Sequence, residues 1–508
     1  MPGIVASGHP ETSRAAAEIL AEGGNAFDAA LAGLLMASVS EPLLTSLAGG
    51  GFLLAAPADE DPMVFDFFAE TPAQKNPDAE FFPIQGDFGT ATQEFHIGLG
   101  ACAVPGVPRG LWLIHRKLGS MPLMEIARPA LEAAVNGIDL NEFQAYTMRI
   151  LEPIISATPG VQQRFSDQEG LLRPGQTITN PELAQSIEQL CREGSRDFYQ
   201  GETGQALLQL CRDHGGHLTA KDLAGYDVEM RLPMESTFHG HRIYGNPIPS
   251  VGGALIALSL SLLERVSVDQ PADLAMALTS VFEQTQMERH RTRLQHEPTR
   301  DKVEEMVDPG NLRRLLRQLD RRQLSIRGTT HISVADGRGN LAALSSSNGE
   351  GCGRMLPGTG IHLNNFLGEE DLSPDGVGQW VPGHRLSSMM SPTVVQRDDG
   401  RRIALGSGGS NRIRSALSCV LVNLLARGKG LEQSVRARRL HLENAKVSVE
   451  PGWPDAVLTR IGQQWELERW DQQNLFFGGV HAVSTGSATH PAEAVGDLRR
   501  GGHALTVE

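Results

Sequence analysis

The chain has 508 residues, 40% of them hydrophobic and 21% charged, which is ordinary for a protein that buries a core. Its formal net charge of −15 argues against a nucleic-acid partner and against binding to anionic membranes through a basic face. The sequence has no apolar run of roughly 18 residues, so it predicts no membrane-spanning helix and no membrane partner.

The first residues, MPGIVASGHPETSRAAAEIL, have neither a positively charged start nor an apolar stretch, so they do not resemble a signal peptide. We therefore expect a cytoplasmic protein. The cysteines are odd in number and scattered without a CxxC pair, which favours reduced structural thiols. They are Cys102, Cys191, Cys211, Cys352 and Cys419.

Residues 12–38 predict two helices. The first is rich in Ala and Leu and stops at the Gly23-Gly24 pair, which is typical of a helix C-terminus. Asn25 is the predicted N-cap of the second helix, with Asp28 in its first turn. Three glycines, 49–51, then lead into a short buried strand, and no Lys-Ser/Thr pair follows them as a phosphate-binding loop requires.

Residues 286–327 are dense in charge and poor in large apolar side chains. Two interpretations stay open for this stretch. It forms a solvated pair of surface helices, or it ends in an exposed, mobile segment just before residue 329.

The pattern changes at residue 329. The runs 329–335 (TTHISVA) and 340–347 (NLAALSSS) are rich in strand-forming residues, and the turn DGRG joins them. Two such runs joined by a glycine-containing loop predict a β-hairpin. Thr329 would lie at the start of the first strand, directly after Gly328.

Several common catalytic motifs are missing from the sequence. It contains no G-x-S-x-G, no H-E-x-x-H, no His/Cys set with zinc spacing, no dinucleotide fingerprint and no Walker A motif. Serine-triad, zinc and nucleotide chemistry therefore lose their usual support, and we expect neither a metal nor a cofactor.

A set of ordered segments resembles the gamma-glutamyltranspeptidase family. GTTHISVADGRGN, which starts at Gly328, resembles its processing site, and residues 3–32 with the AGGGF that follows resemble its N-terminal part. Residues 358–372, 385–395 and 405–413 resemble its active-site segments, and FGGVHAVSTGSATHPAEAVGDLRRGG resembles its ending. T-T-H alone would carry no weight, whereas the ordered set is highly specific.

The resemblance implies the α+β fold of N-terminal-nucleophile hydrolases, a four-layer α/β/β/α sandwich with two stacked antiparallel sheets and the hairpin 329–347 at its centre. It also implies that the chain cuts itself between Gly328 and Thr329. Residues 1–328 and 329–508 would then be a large and a small catalytic subunit, a heterodimer that forms one globular unit.

The cut supplies the base that a threonine nucleophile needs. If the Thr329 hydroxyl attacks the Gly328 carbonyl, an N-to-O acyl shift gives an ester. Hydrolysis of this ester frees the α-amine of Thr329, whose reference pKa of about 7.7–8.0 suits a general base near neutral pH. Glycine at 328 presents an unhindered carbonyl.

The resemblance also assigns helpers to the nucleophile. Ser347 falls where the family has a hydroxyl that hydrogen-bonds the nucleophile. Gly409 and Ser410 align with the residues whose N–H groups form the oxyanion hole, and such a donor contributes about 2.7–4 kcal/mol. Gly408 is the alternative if the alignment shifts by one residue.

Three further residues are candidate substrate ligands by the resemblance. Glu369 falls at the acidic position that holds the substrate α-amino group, and a surface glutamate is the alternative. Ser387 and Ser388 match a serine pair that binds the substrate carboxylate, and a Ser/Thr turn before a strand is the alternative.

Three positions depart from the family pattern. Phe68 stands in place of an arginine that binds the substrate carboxylate, and phenylalanine cannot form that bidentate clamp. Phe366 replaces an amide side chain. Gly349 replaces an asparagine, for which Asn348 is the alternative donor.

The leading hypothesis is a gamma-glutamyltransferase or glutathione hydrolase that acts on a small-molecule amide through an acyl-enzyme on Thr329. One alternative is an acylase for a bulkier or less charged acyl group, similar to cephalosporin acylases. A glutamyl pocket that recruits Arg354 or Arg385 also stays open. A non-catalytic, unprocessed relative is the third alternative, although it would be expected to have lost Thr329 or Gly328, and neither is lost.

Overall fold

The structure is a computed structural model that describes residues 2–87, 92–315, 329–373, 376–443, 445–487 and 489–508. Gly328, on the far side of the predicted cut, lies outside the described residues, as does the rest of the segment 316–328. Thr329 is described.

Helices make up much of the chain, and in the described part they are α1 (Pro10–Ala21), α2 (Ala26–Ser40), α3 (Val107–Leu118), α4 (Leu123–Asn136), α5 (Glu142–Ile150), α6 (Glu152–Ile155), α7 (Pro159–Phe165), α8 (Pro181–Glu193), α9 (Arg196–Gln200), α10 (Glu202–His214), α11 (Ala220–Gly225), α12 (Gly252–Leu263), α13 (Pro271–Arg291), α14 (Arg300–Val307), α15 (Pro309–Leu315), α16 (Arg412–Leu421), α17 (Leu431–Arg436) and α18 (Asp455–Gly462). Across these ranges no helix has both the length and the apolar character needed to cross a membrane.

The strands of the same ranges are β1 (Gly3–Ser7), β2 (Gly50–Ala56), β3 (Met63–Phe67), β4 (Phe82–Asp87), β5 (Thr92–Ile97), β6 (Ile138–Asp139), β7 (Ser166–Asp167), β8 (Gly170–Leu171), β9 (Thr177–Ile178), β10 (Glu229–Arg231), β11 (Met234–Phe238), β12 (His241–Gly245), β13 (Thr330–Asp336), β14 (Leu341–Ser347), β15 (Met355–Leu356), β16 (Ile361–His362), β17 (Thr393–Gln396), β18 (Arg402–Gly408), β19 (Leu440–Glu443), β20 (Lys446–Val449), β21 (Glu466–Arg469), β22 (Gly479–Ser484), β23 (Glu493–Val495) and β24 (His503–Val507).

Two antiparallel sheets form the centre of the molecule. The first sheet has the strand order β10-β3-β2-β14-β13-β1-β24, and the second has the order β11-β12-β17-β18-β22-β23. Strands β13 and β14 pack on β18, and β13 also packs on β22, so the two sheets stack face to face. Helices α1 and α2 cover the outer face of the first sheet, while α12 and α16 cover that of the second. The α/β/β/α sandwich is confirmed.

The parts before and after residue 328 are interleaved in both sheets. Strands β13 and β14 lie between β1 and β2 in the first sheet, and β17 pairs with β12 in the second. Backbone hydrogen bonds of both sheets therefore join the two parts, which favours a single globular unit whether or not the chain is cut.

The predicted hairpin is confirmed as β13 and β14, and its side chains alternate between two cores as strand geometry requires. Ala343 belongs to the core between the sheets, whereas Leu344 and Ile332 belong to the core under α2. The same alternation directs Thr329 and Ser347 toward the space between the sheets.

The predicted start of α2 is also confirmed. The Asn25 side chain accepts hydrogen bonds from the N–H groups of Phe27 and Asp28, and the Asp28 carboxylate accepts one from the Asn25 N–H. This capping box satisfies donors that have no acceptor inside the helix. Its energetic value is typically about 1 kcal/mol.

Asp336 links the hairpin turn to this helix start. Its carboxylate accepts hydrogen bonds from the backbone of Arg338 at 2.9 Å and of Asn340 at 3.0 Å, within the turn. It also accepts one from the Ala26 N–H at 3.1 Å, the first residue of α2. A buried carboxylate at a helix N-terminus is favoured by the helix dipole.

Within the charged stretch 286–327, the described residues 286–315 are less solvated than the sequence suggests. Glu288, near the end of α13, is only 1% exposed, and its carboxylate pairs with Arg291 and Arg314. Helices α14 and α15 carry most of the exposed charge. The proposed mobile segment before residue 329 lies outside the described residues.

We expect Asp336→Ala to destabilise the protein by about 2 kcal/mol, because the N–H groups of Ala26, Arg338 and Asn340 lose their acceptor. Asp59, an exposed aspartate in the turn between β2 and β3, is the matched control, and Asp59→Ala should cost no more than about 0.5 kcal/mol. Urea unfolding followed by circular dichroism measures both. Equal losses would show that Asp336 does not anchor the turn.

Candidate active site

Thr329 immediately precedes β13 and is 4% exposed. In the hairpin register Thr330 is opposite Ser346, and one further step places Thr329 opposite Ser347. Both residues line one cavity between the sheets. The predicted nucleophile and its predicted hydroxyl partner therefore share one site.

The cavity contains most of the residues that the sequence singled out. Its walls are Phe68, Thr329, Ser347, Phe366, Glu369, Leu372, Ser388, Met389, Met390, Ser410 and Ile413. The candidate nucleophile, hydroxyl helper, acidic ligand, second serine and oxyanion residue are thus together. Their chemical roles stay predictions.

Glycines of β18 allow the two sheets to approach closely at this point. A Cβ atom at Gly408 would lie 1.9 Å from the Thr329 carbonyl oxygen, and one at Gly406 would lie 2.2 Å from the His331 ring. Only a residue without a side chain fits such contacts. The backbone of β18 therefore lies directly against the start of β13.

The segment after β18 turns sharply into α16. Gly409 has a φ of 119° and Ser410 a φ of 49°, a left-handed conformation that costs a non-glycine residue about 1 kcal/mol or more. Their carbonyl oxygens accept from the N–H groups of Arg412 and Ile413. A helix start is where backbone N–H groups commonly receive an anion, so the position suits an oxyanion hole. Gly408, the alternative oxyanion residue, is the last residue of β18 and packs against the Thr329 carbonyl.

Gly349 has no room for the asparagine that the family pattern places there. Its φ is 65°, and a Cβ would lie 2.0 Å from the Asn365 amide oxygen and 2.5 Å from a Glu369 carboxyl oxygen. The Gly349 N–H donates to the Ser347 hydroxyl at 3.0 Å. Asn348 does not replace the missing amide in the cavity, because its side chain bonds to Ser46 and to the His362 carbonyl.

Of the two candidate carboxylate-binding serines, Ser388 reaches the cavity wall. Its hydroxyl accepts from the Met390 N–H at 3.0 Å, so the Ser/Thr turn considered as the alternative is present as well. Ser387 is not among the cavity-lining residues. Its hydroxyl is buried without a hydrogen-bond partner in the described structure.

Phe68 and Phe366 stand at the positions where the family pattern has an arginine and an amide side chain. The centroids of Phe68 and Phe366 are 4.9 Å apart, and Phe68 also stacks on Phe52 at 5.4 Å. Contacts of this kind contribute about 0.5–1.5 kcal/mol each beyond the buried area. One wall of the cavity is therefore apolar and packed.

Neither arginine considered as a replacement lines the cavity. Arg385 pairs with Glu70 at 3.0 Å and donates to the Tyr226 hydroxyl at 2.8 Å and to the Phe68 carbonyl. Arg354 pairs with Glu80, its Nε lying 3.1 Å from the carboxylate. Both guanidinium groups are committed to other contacts.

Two charged residues near Thr329 were missed by the sequence analysis. Glu41, at the end of α2, accepts a hydrogen bond from the Thr330 hydroxyl at 2.8 Å, and burial raises the pKa of its carboxyl to about 7. Arg500 donates to the Thr329 carbonyl at 3.4 Å. Each could have been noticed in the sequence as a charge in an unusual setting. Glu41 lies in the apolar segment SVSEPLL, and Arg500 lies in the glycine-containing segment DLRRGG.

The described residues contain no group of three or more His, Cys, Asp or Glu side chains arranged to hold a metal ion. All five cysteines fall in described ranges and are free thiols.

A four-layer sandwich with a threonine at the start of its central hairpin defines the N-terminal-nucleophile hydrolase class. A cephalosporin acylase from Bacillus halodurans has the same fold, with a TM-score of 0.86 at 20% identity over 99% of this chain and 95% of that one. The sequence profile described as Gamma-glutamyltranspeptidase matches residues 12–507, and the chain belongs to this family.

Full-length relatives include both activities considered above. The chain is 28% identical to the Acylase ACY 1 proenzyme of Pseudomonas sp. (strain SE83), over 99% of this chain and 96% of the relative. It is 26% identical to the Glutathione hydrolase proenzyme of Bacillus subtilis (strain 168), over 99% and 91%. The chain is thus an enzyme of this family, and both of these relatives are named as proenzymes.

We expect Gly408→Ala to lower kcat/KM by about 100-fold or more, because the new methyl group must displace Thr329 and an error of about 1 Å in position has this cost. Gly430→Ala is the matched control, since no atom lies within 4 Å of a Cβ at that exposed position. Steady-state kinetics with an acyl anilide measures both variants. Full activity of Gly408→Ala would contradict the packing described here.

Proposed function

We propose that the enzyme hydrolyses small-molecule amides through an acyl-enzyme on Thr329, after cutting itself before that residue. The observation that carries the proposal is the shared cavity of Thr329, Ser347 and Ser410. The candidate nucleophile, its hydroxyl partner and a residue of the proposed oxyanion segment line one cavity, which supports an acyl-transfer reaction.

The first reaction frees the amine. The Thr329 hydroxyl adds to the Gly328 carbonyl carbon, the peptide C–N bond breaks, and the nitrogen takes a proton to become the α-amine. Water then hydrolyses the ester, which leaves a carboxylate on Gly328 and restores the hydroxyl. The large and small subunits stay associated, because both sheets join them.

In turnover the α-amine takes the proton of the Thr329 hydroxyl as its oxygen attacks the substrate carbonyl carbon. The N–H groups of Gly409 and Ser410 stabilise the oxyanion, and Ser347 orients the nucleophile. The amide C–N bond breaks, and the proton held by the amine passes to the leaving nitrogen. Water, or an acceptor amine in transpeptidation, then attacks the ester.

The cavity walls favour an apolar acyl group. The rings of Phe68 and Phe366 pack at a tilt on one side, and Leu372, Met389 and Ile413 add to the apolar lining. A substrate carboxylate placed against this wall would lose its hydration without gaining a partner, which is costly. Glu369 offers one site for a hydrogen-bond donor or ammonium group of the acyl chain.

A gamma-glutamyl substrate is the second candidate, as in a glutathione hydrolase. It is favoured by Glu369 and Ser388, which line the cavity and match the family ligands for the amino and carboxylate groups. A role in glutathione metabolism and a cytoplasmic location stay predictions.

Self-processing predicts two fragments on a denaturing gel, the smaller beginning at Thr329 by mass spectrometry. Thr329→Ala should remain a single chain and lose turnover, since both the attacking hydroxyl and the cut are gone. Thr330→Ser is the control: its hydroxyl is kept for Glu41, so we expect normal cutting. An intact wild-type chain with full activity would rule out this mechanism.

The acyl preference is tested with three anilides of similar size: phenylacetyl, glutaryl and gamma-glutamyl. We expect kcat/KM for the phenylacetyl compound to exceed that for the glutaryl compound by about 10-fold or more, because only the first suits an apolar wall.

Phe68→Arg should reduce or reverse that preference by supplying a carboxylate partner. Phe82→Arg, at an exposed phenylalanine away from the cavity, should not change it. A wild-type enzyme that prefers the gamma-glutamyl anilide would overturn the apolar assignment in favour of the second candidate.

A further inference from the structure

Arg500 is buried beside the nucleophile, although it lines no wall of the acyl cavity. It is 4% exposed, and its Nη1 atom lies 3.4 Å from the Thr329 carbonyl oxygen. Cβ atoms built on Gly408 and Gly409 would lie 3.2 Å from its two terminal nitrogens. The guanidinium therefore contacts both the nucleophile's backbone and the strand end that leads to the oxyanion segment.

The charge of Arg500 survives its burial. Burial is the largest influence and lowers the pKa of the guanidinium to about 10, while the nearby carboxyl groups of Asp497, Glu350 and Glu41 act in the opposite direction. At neutral pH the group is still a cation. It contacts the carbonyl group of Thr329, the residue whose nitrogen becomes the α-amine after the proposed cut.

Several other ionisable groups lie around Arg500 and Thr329, and they differ in charge. They are Glu41 at the end of α2, Glu350 after β14, Glu369 in the cavity wall, His331 on β13, His481 on β22, and Asp497 and Arg439, which form an ion pair.

The two histidines add no charge near neutral pH, because burial lowers the pKa of both, that of His481 to about 4. Asp497 is matched by ion pairs with Arg439 and Arg499. Glu41 changes charge in the working range, since burial raises its pKa to about 7 while hydrogen bonds from Thr330 and Thr12 oppose the rise.

We propose that Arg500 is a positioning residue that holds the Thr329 backbone against Gly408 and Gly409 and whose positive charge keeps the α-amine of Thr329 in its free-base form. A cation within a few ångströms disfavours a second positive charge, so it lowers the pKa of an ammonium group. Glu41 opposes it: its carboxylate, formed as pH rises through about 7, favours the protonated amine. This inference rests on the proposed function.

The test is the pH dependence of kcat/KM for a neutral acyl anilide, whose acid limb reports the base of the free enzyme. Arg500→Met should move the apparent pKa of that limb up by about one unit, whereas Arg500→Lys, which keeps the charge, should restore most of the shift. Glu41→Gln should move it down, in the opposite direction. Arg436→Met, at an exposed arginine paired with Glu432, is the control and should leave the limb unchanged.

The proposal is overturned if Arg500→Met lowers the rate while leaving the acid limb in place, since that result shows a merely structural role. If Arg500→Met is not cut, Arg500→Gln, which keeps a hydrogen-bond donor without the charge, decides: an upward shift of the limb supports the proposal and an unchanged limb overturns it. Failure of the proposed function looks different. It appears as an uncut wild-type chain with full activity or as turnover by Thr329→Ala.

Discussion

The close packing of β18 against the start of β13 determines where Thr329 lies. With glycine at 408, the strand backbone reaches the Thr329 carbonyl, and the chain then turns through Gly409 and Ser410 into α16. One contact thus brings together the nucleophile and the helix start that can receive an oxyanion. Ser347 follows from the same arrangement, because the hairpin register places it opposite Thr329.

Two regions with different physical character meet at this contact. Around the Thr329 backbone lie buried charges and hydrogen bonds, with Arg500 and Glu41 acting in opposite senses. Across the cavity, Phe68 and Phe366 form an apolar wall. Under the proposed function, the first region serves proton transfer by the amine and the second selects the acyl group. The two tasks would then depend on different residues, so that the acyl group could change without a change in the chemistry.

Much of the local structure was predictable because its causes are local. The hairpin follows from two strand-forming runs and a Gly-containing turn, and the Asn25 cap follows from its side chain. Contacts between segments that are distant in the chain could not be predicted in this way. The contact of Phe68 with Phe366 and the approach of Arg500 to Thr329 depend on how the sheets pack.

Two arginines considered as replacements for the missing carboxylate ligand at position 68 lie outside the cavity. Arg354 and Arg385 have the right chemistry for a carboxylate clamp, yet each is drawn into ion pairs outside the cavity. The most direct test of the account is mass spectrometry of enzyme quenched in acid during turnover of an acyl anilide. We predict one acyl group on the hydroxyl of an N-terminal Thr329. An acyl group on another residue, or none on Thr329 during measurable turnover, would contradict it.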